Sequence, residues 1–164
     1  MTTPEYYSKF ILTINNSEKL LLQISDEKSS IKINPTKWSR KEILGHLIDS
    51  AGVNHNRFLN SVFKEDLIFE TYNQDEWVKL HKYNNRNWKE LILLWKLLNL
   101  HIADVVKNIP EEKRLENYVA HNFDKICFNL VKSNNETNLD YLIIDYIAHM
   151  EHHLKQILEY EKEN

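Results

Sequence analysis

Glycine and proline are almost missing from this chain, with two and three residues respectively in 164. So few turn formers argue against a turn-rich all-β fold. Cysteine occurs once, at Cys127, so no intramolecular disulfide can form, and a lone thiol fits a reducing, cytoplasmic setting. Cys127 reads first as a small buried or half-buried apolar residue and only second as a nucleophile. No apolar run approaches the ~20 residues of a membrane span. The opening "MTTPEYYSKF" has neither the basic nor the apolar segment of a secretory signal. An excess of basic charge is absent as well. The formal net charge is -3 and Lys and Arg are scattered, which argues against nucleic acid as a partner. The expectation is a cytoplasmic protein acting on a small molecule, with no membrane and no nucleic acid involved.

What the chain does have is helical periodicity. Its length suits one domain, residues 1–164, with a single core. The first helix is expected across "TTPEYYSKFILTINNSEKLLLQIS", with Thr3 as N-cap and Pro4 in the first turn. Tyr7, Phe10, Ile14 and Leu21 would form its apolar face. Residues 29–36, which include Pro35, read as a connector. A second helix opens at Ser39, where Glu42 three positions on completes a capping box and Trp38 precedes it as a hydrophobic staple. Gly45 and Gly52, the only glycines, both fall inside this helix and each costs up to ~1 kcal/mol against Ala there. Such a cost points to close packing or to an approach route. A short helical turn is expected near Asp75 to Leu80, then a third long helix ending before Pro110. Residues 111–137 read as irregular with a small hairpin, and the last helix runs from about Asn138 to Tyr160, capped by Thr137 or Asn138. Four long amphipathic helices without a βαβ pattern imply an all-α, antiparallel four-helix bundle with long connections. The length of the second connection suggests that neighbours in the bundle are not neighbours in sequence.

Histidines are concentrated where a bundle would build a site. In "DYIAHMEHHLKQILEY" the apolar stripe is Leu139, Ile143, Tyr146, Met150, Leu154 and Ile157. At about 100° per residue, His153 falls in this stripe and His149 at its edge, while His152 falls opposite, beside Asp145, Lys155 and Glu159. Two imidazoles at i, i+4 on one helix face are a bidentate start for a transition metal. The second helix offers His46 and His55 on different faces. His55 points into the apolar stripe, where a hydrogen-bonded core imidazole is expected. His46 shares a facet with Ser50 and Arg57, with Asp49 close by, as a pocket wall would. Periodicity does not choose between them.

Three stretches, "KWSRKEILGHLIDSAGVNHNRF", "YNQDEWVKLHKY" and "LIIDYIAHMEHHLKQI", together resemble the DinB/YfiT-like superfamily of metal-dependent enzymes. The shared features are the Trp-Ser lead into helix two, a His in an "xxHLxD" context, a link containing Tyr, Asp and Trp, and a final His-x-x-x-His. The resemblance spans nearly the whole chain. It implies a four-helix bundle, often dimeric, with His46, His149 and His153 as ligands of zinc or nickel. It also implies S-transfer from a low-molecular-weight thiol such as bacillithiol, or related chemistry of a metal-activated nucleophile. The continuation "HLKQI" keeps Gln156 but departs from the family's usual residues between, which leaves the substrate class open.

Three neutral imidazoles leave a divalent ion at least one open position, as in catalytic sites. Around it, Asn54 and Arg57 are candidates to bind a carboxylate or sugar hydroxyl, Arg57 through its bidentate fork. Asp49 is the candidate base or orienting group, and Tyr72 and Trp77 are candidates to roof the pocket. The competing expectation is a metal-binding bundle without turnover, serving interaction or stress response.

Overall fold

The structure is a computed structural model that describes residues 4–160. Four long helices carry it: α1 Glu5–Leu21, α3 Arg40–Ser61, α5 Trp88–Asn108 and α8 Leu139–Leu158. Short helices α2 Asp26–Ser30, α4 Gln74–His81, α6 Glu111–Leu115 and α7 Phe123–Ile126 lie in the connections, with a 3-10 turn at Tyr83–Asn85.

Local chemistry explains most boundaries. The Ser39 hydroxyl accepts from the Glu42 amide while the Glu42 carboxylate accepts from the Ser39 amide, the full capping box. Asn87 caps α5, and Asn138, rather than Thr137, caps α8 by accepting from the Tyr141 amide. Asn73 starts the short helix expected near Asp75. At the first helix the expectation needs correction. Thr3 lies outside the described residues, and Pro4 is itself the N-cap, with extended ψ 141, not part of the first turn. That helix also stops at Leu21, because the Ser25 side chain accepts from the Lys28 amide and begins α2 instead.

Side-chain pairs fix how the helices run. Tyr6 meets Asp140, Phe10 meets Tyr146 and Thr13 meets Glu151, so α1 and α8 are parallel. Arg40 reaches the Ile157 carbonyl and Phe58 packs on Tyr146, so α3 opposes α8. Trp88 bonds to the Leu21 carbonyl and Lys107 sits over Tyr7, so α5 opposes α1. The helices α3 and α5 therefore share a direction, and the bundle is not the uniformly antiparallel one that the sequence suggested. Around it the order is α1, α5, α3, α8. Non-sequential neighbours do occur, but the diagonal crossings are made by the first and third connections. The second joins the adjacent helices α3 and α5, and its residues 62–87 travel back along the bundle because those helices are parallel.

The interior is one apolar cluster built on Phe10, Leu44, Phe58, Trp88, Trp95 and Met150. Burying a large apolar side chain stabilises by roughly 1.5–3 kcal/mol, so this interior, more than helix propensity, holds the bundle together. The expected hairpin between residues 111 and 137 is not formed. Tyr118 and Thr137 exchange one pair of backbone bonds as an isolated bridge, and α7 occupies the chain between them. Each of the two glycines in α3 has a different reason. A Cβ on Gly45 would lie inside the Tyr83 ring, whereas one on Gly52 would meet nothing within 4 Å, so close packing accounts for Gly45 alone.

Candidate metal centre

On α3 and α8, three imidazoles converge. His46 Nε2 lies 3.2 Å from His149 Nε2, and the rings of His46, His149 and His153 sit 4.6–5.1 Å apart, edge to face. One nitrogen from each falls within 4.8 Å of the other two. Two bare imidazole lone pairs facing at 3.2 Å repel unless a proton or a cation lies between them. Ligands at about 2.0–2.1 Å from a tetrahedral ion stand roughly 3.3 Å apart, so the spacing fits a divalent metal.

Burial prepares these rings. His46 is 1% exposed, and desolvation first, then the neighbouring His153, brings its pKa down from 6.5 to about 3. His149 is likewise brought down to about 3, by burial first and then by His153, His46 and His152. His153 is also lowered by burial, although its bond to Gln156 opposes the shift. All three are neutral near pH 7, with lone pairs available to a metal. His153 Nδ1 bonds to Gln156 Oε1 at 2.9 Å, which favours a proton on Nδ1 and leaves Nε2 to coordinate. The Trp38 ring lies against His46 at 5.1 Å, so the residue before the N-cap braces a candidate ligand.

The centre opens on a cavity of about 560 Å³. Its α3 wall is the facet His46, Ser50, Asn54, Arg57, and α8 supplies Leu142, Asp145, Tyr146 and the histidine pair. Two connections close it: Thr71 to Gln74 on their way back along the bundle, and Lys125 to Phe128 at the end of α7 and just beyond it. Arg57 is buried. It donates from Nη2 to the Glu70 carbonyl at 2.9 Å and from Nη1 toward Asn54 Oδ1 at 3.4 Å, while Nε has no hydrogen-bond partner. Asn54 in turn donates to Ser50.

A family model described as the DinB superfamily matches residues 9–157. This chain is a member of the DinB superfamily. Its fold is similar to that of YfiT from Bacillus subtilis, described as a probable metal-dependent hydrolase with an unusual four-helix bundle topology. The match covers 99% of this chain and 90% of YfiT at a TM-score of 0.73 and 16% identity. Among curated proteins none matches this sequence. The described helices include none long and apolar enough to cross a membrane.

Within this DinB bundle the residues singled out from sequence divide. His46, His149 and His153 come together, and Asn54, Arg57 and Tyr72 line the same cavity. Tyr72 is held protonated, its pKa pushed up to about 12 by burial first and by Asp49 second. Trp77 lies against Tyr72, ring centres 4.9 Å apart and tilted by 51°, but borders a neighbouring cavity instead. Asp49 stands outside the lining. Its Oδ1 accepts from the Tyr83 hydroxyl at 2.6 Å and faces His81 Nδ1 at 3.0 Å, and burial pushes its carboxyl pKa up. His55 is not a hydrogen-bonded core imidazole: it is half-buried against His101, and its Nε2 has no hydrogen-bond partner.

The α8 phase placed Asp145 on the outer face with His152. His152 is exposed, at the cavity edge against Phe128, but Asp145 is buried. Both its oxygens accept from the chain that folds over α8, at the Phe128 and Asn129 amides, each 2.7 Å away. Beside it, the Cys127 thiol is buried in the cavity wall, and burial and then Asp145 push its pKa up, so it stays protonated. No local signal in "DKICFNL" announces this contact, because it depends on where the third connection lands.

Proposed function

We propose that this protein is a divalent-metal-dependent enzyme that transfers a low-molecular-weight thiol of the bacillithiol type to an electrophilic small molecule. The observation that carries the reading is the convergence of three neutral imidazoles at the wall of an open cavity, where a buried structural site would have closed its ligand set. Zinc and nickel both suit imidazole nitrogen, so supply decides between them. A bound ion supplies a Lewis acid that favours the deprotonated form of a thiol or water near neutral pH.

The chain's own groups do the rest. Gln156 orients His153. Asn54, its amide held by Ser50, lines the path of the incoming thiol, and Arg57 offers its guanidinium to an acidic group of the electrophile. Tyr72 covers the cavity and Trp77 backs its ring. Asp49, tied to Tyr83 and His81, acts as a positioning residue for the α4 side of the site and not as the base at the reacting atoms. In the transfer the thiol sulfur bonds to an electrophilic carbon, the leaving group departs with the bonding pair, and the thiol proton passes to water. In this reading the protein works in the cytoplasm as a homodimer. A monomer in sedimentation equilibrium at high concentration would remove the dimer.

The test is thiol consumption by zinc- or nickel-loaded protein, with bacillithiol, glutathione or cysteine against a panel of electrophiles. Loaded protein is expected to turn over at least one pair, and metal-stripped protein and His149→Ala to lose that activity. Retention of metal without turnover of any pair would leave a non-catalytic metal-binding bundle and sink the enzyme reading.

A further inference from the structure

We infer that the substrate is an amphipathic anion whose aryl or branched-alkyl body docks in a second cavity beside the histidine cavity, with Arg57 pairing its acidic group. The inference rests on the enzyme reading and names the class of electrophile that the site would take. The second cavity measures about 550 Å³ and shares Arg57, Thr71 and Tyr72 with the first. Its other walls combine the apolar Val53, Phe63, Ile68, Phe69 and Trp77 with Asn56, Asn60, Lys64 and Glu70 at the polar side.

Three of these side chains stand open to solvent. Phe63 is 85% exposed, Ile68 48% and Trp77 39%, and all three border this one hollow. Scattered exposed apolar residues need no explanation, but several ringing one concave site mark a place that an apolar ligand covers. The aromatic wall is held in shape, with Trp77 tilted against Tyr72 and Lys64 over the Phe69 ring.

Arg57 supplies the polar anchor. A guanidinium stays charged at neutral pH, and this one is buried with its Nε unpartnered. Burial works against its charge, the neighbouring Tyr72 and Cys127 are held protonated and so neutral, and no carboxylate pairs with it among the described residues. A buried cation without an anion is costly, so the missing anion belongs to what binds. Because Arg57 stands in the wall between the cavities, a molecule held there by its acidic group can lay an apolar body on Phe63 and Trp77. Its remaining end then faces the histidines.

Binding of two fluorescent probes tests this without any turnover. Anilinonaphthalene sulfonate carries the acidic group and the aryl body, and N-phenylnaphthylamine carries the body alone. Both should bind one per chain, and Phe63→Ala and Trp77→Ala should each weaken both by about tenfold, as loss of a packed aromatic contact does. Arg57→Gln should weaken only the sulfonate. Leu93→Ala and Leu97→Ala, at exposed apolar positions outside both cavities, should change neither probe. Phe63 is so exposed that its replacement leaves the fold intact, which circular dichroism would check. Equal affinities in wild type and Phe63→Ala, or loss of binding in the Leu93 or Leu97 variant, would overturn the inference. Probe binding is expected to survive chelation, so a failure here leaves the metal chemistry standing, and a failure of turnover leaves this site standing.

Discussion

Helix α3 carries two histidines, and each meets imidazoles from another helix. At its N-terminal end His46 faces His149 and His153 of α8, with ring centres 4.9–5.1 Å away. Toward its C-terminal end His55 faces His101 of α5 at 4.9 Å. The ring spacings are the same, and the surroundings differ in every respect that matters to a metal. The first group has three nitrogens, nearly complete burial of His46, a Gln156 partner that fixes a tautomer, and a cavity in front of it. The second has two rings tilted 37° to one another, one of them exposed, with no third ligand beside them among the described residues. Ring proximity alone does not make a coordination site; a third donor and an oriented second shell do.

The largest expected effect would break that contrast outright if it failed. His46→Ala, His149→Ala or His153→Ala should weaken zinc or nickel by more than the roughly 100-fold that loss of an outer-shell partner brings. His55→Ala, His101→Ala and His152→Ala should leave about one ion per chain. Elemental analysis of chelator-free protein reads the difference, and metal lost in His55→Ala but kept in His149→Ala would reverse the assignment.

Next comes acid. In metal-free protein His46 and His149 are held near 3 by burial, against 6.5 for an ordinary imidazole. Between those values the unfolded chain binds more protons than the folded one, so stability falls as pH drops from 6.5 toward 3 and is fully present above 6.5. Denaturation midpoints of metal-free wild type should decline over this window. His149→Gln should decline less steeply, and an unchanged slope would show that burial of this ring is not what sets the acid sensitivity.

Backbone packing sharpens the comparison between the two ends of α3. Gly45→Ala, beside His46, drives a methyl into the Tyr83 ring, which is buried and bonded to Asp49, and should destabilise by about 1–3 kcal/mol. Gln156→Leu comes next, with metal affinity reduced about 10- to 100-fold and the fold unchanged, measured by competition with a chelating dye. Smallest is Gly52→Ala toward the His55 end, where nothing opposes the new methyl, so stability should rise by up to about 1 kcal/mol in urea denaturation.

Much of this was legible from pattern. Apolar spacing of about 3.6 residues marks the four long helices, and the Ser39–Glu42 box marks where α3 begins. The same phase turned His149 and His153 inward and left His152 exposed. It failed at Asp145, because a helical wheel shows which side of α8 a residue occupies but not whether another segment covers that side. Asp49 and Trp77 miss the histidine cavity for a related reason. Both lie in or against the second connection, whose path follows from two parallel helices that no local signal reveals.

The division between the two histidines of α3 has the same origin. By itself the sequence determined that the chain is helical, where its helices start, and that one face of α8 offers an i, i+4 imidazole pair, since these depend on residues within a few turns of one another. Periodicity left His46 and His55 open and the family resemblance pointed to His46; the tertiary structure is what brings His46, and not His55, to the α8 pair. It also decided that Arg57 is buried without a carboxylate partner and that residues 71–74 and 125–128 wall the cavity. Those facts depend on which helices become neighbours, and burial of the whole apolar surface selects that arrangement, not any short stretch of chain.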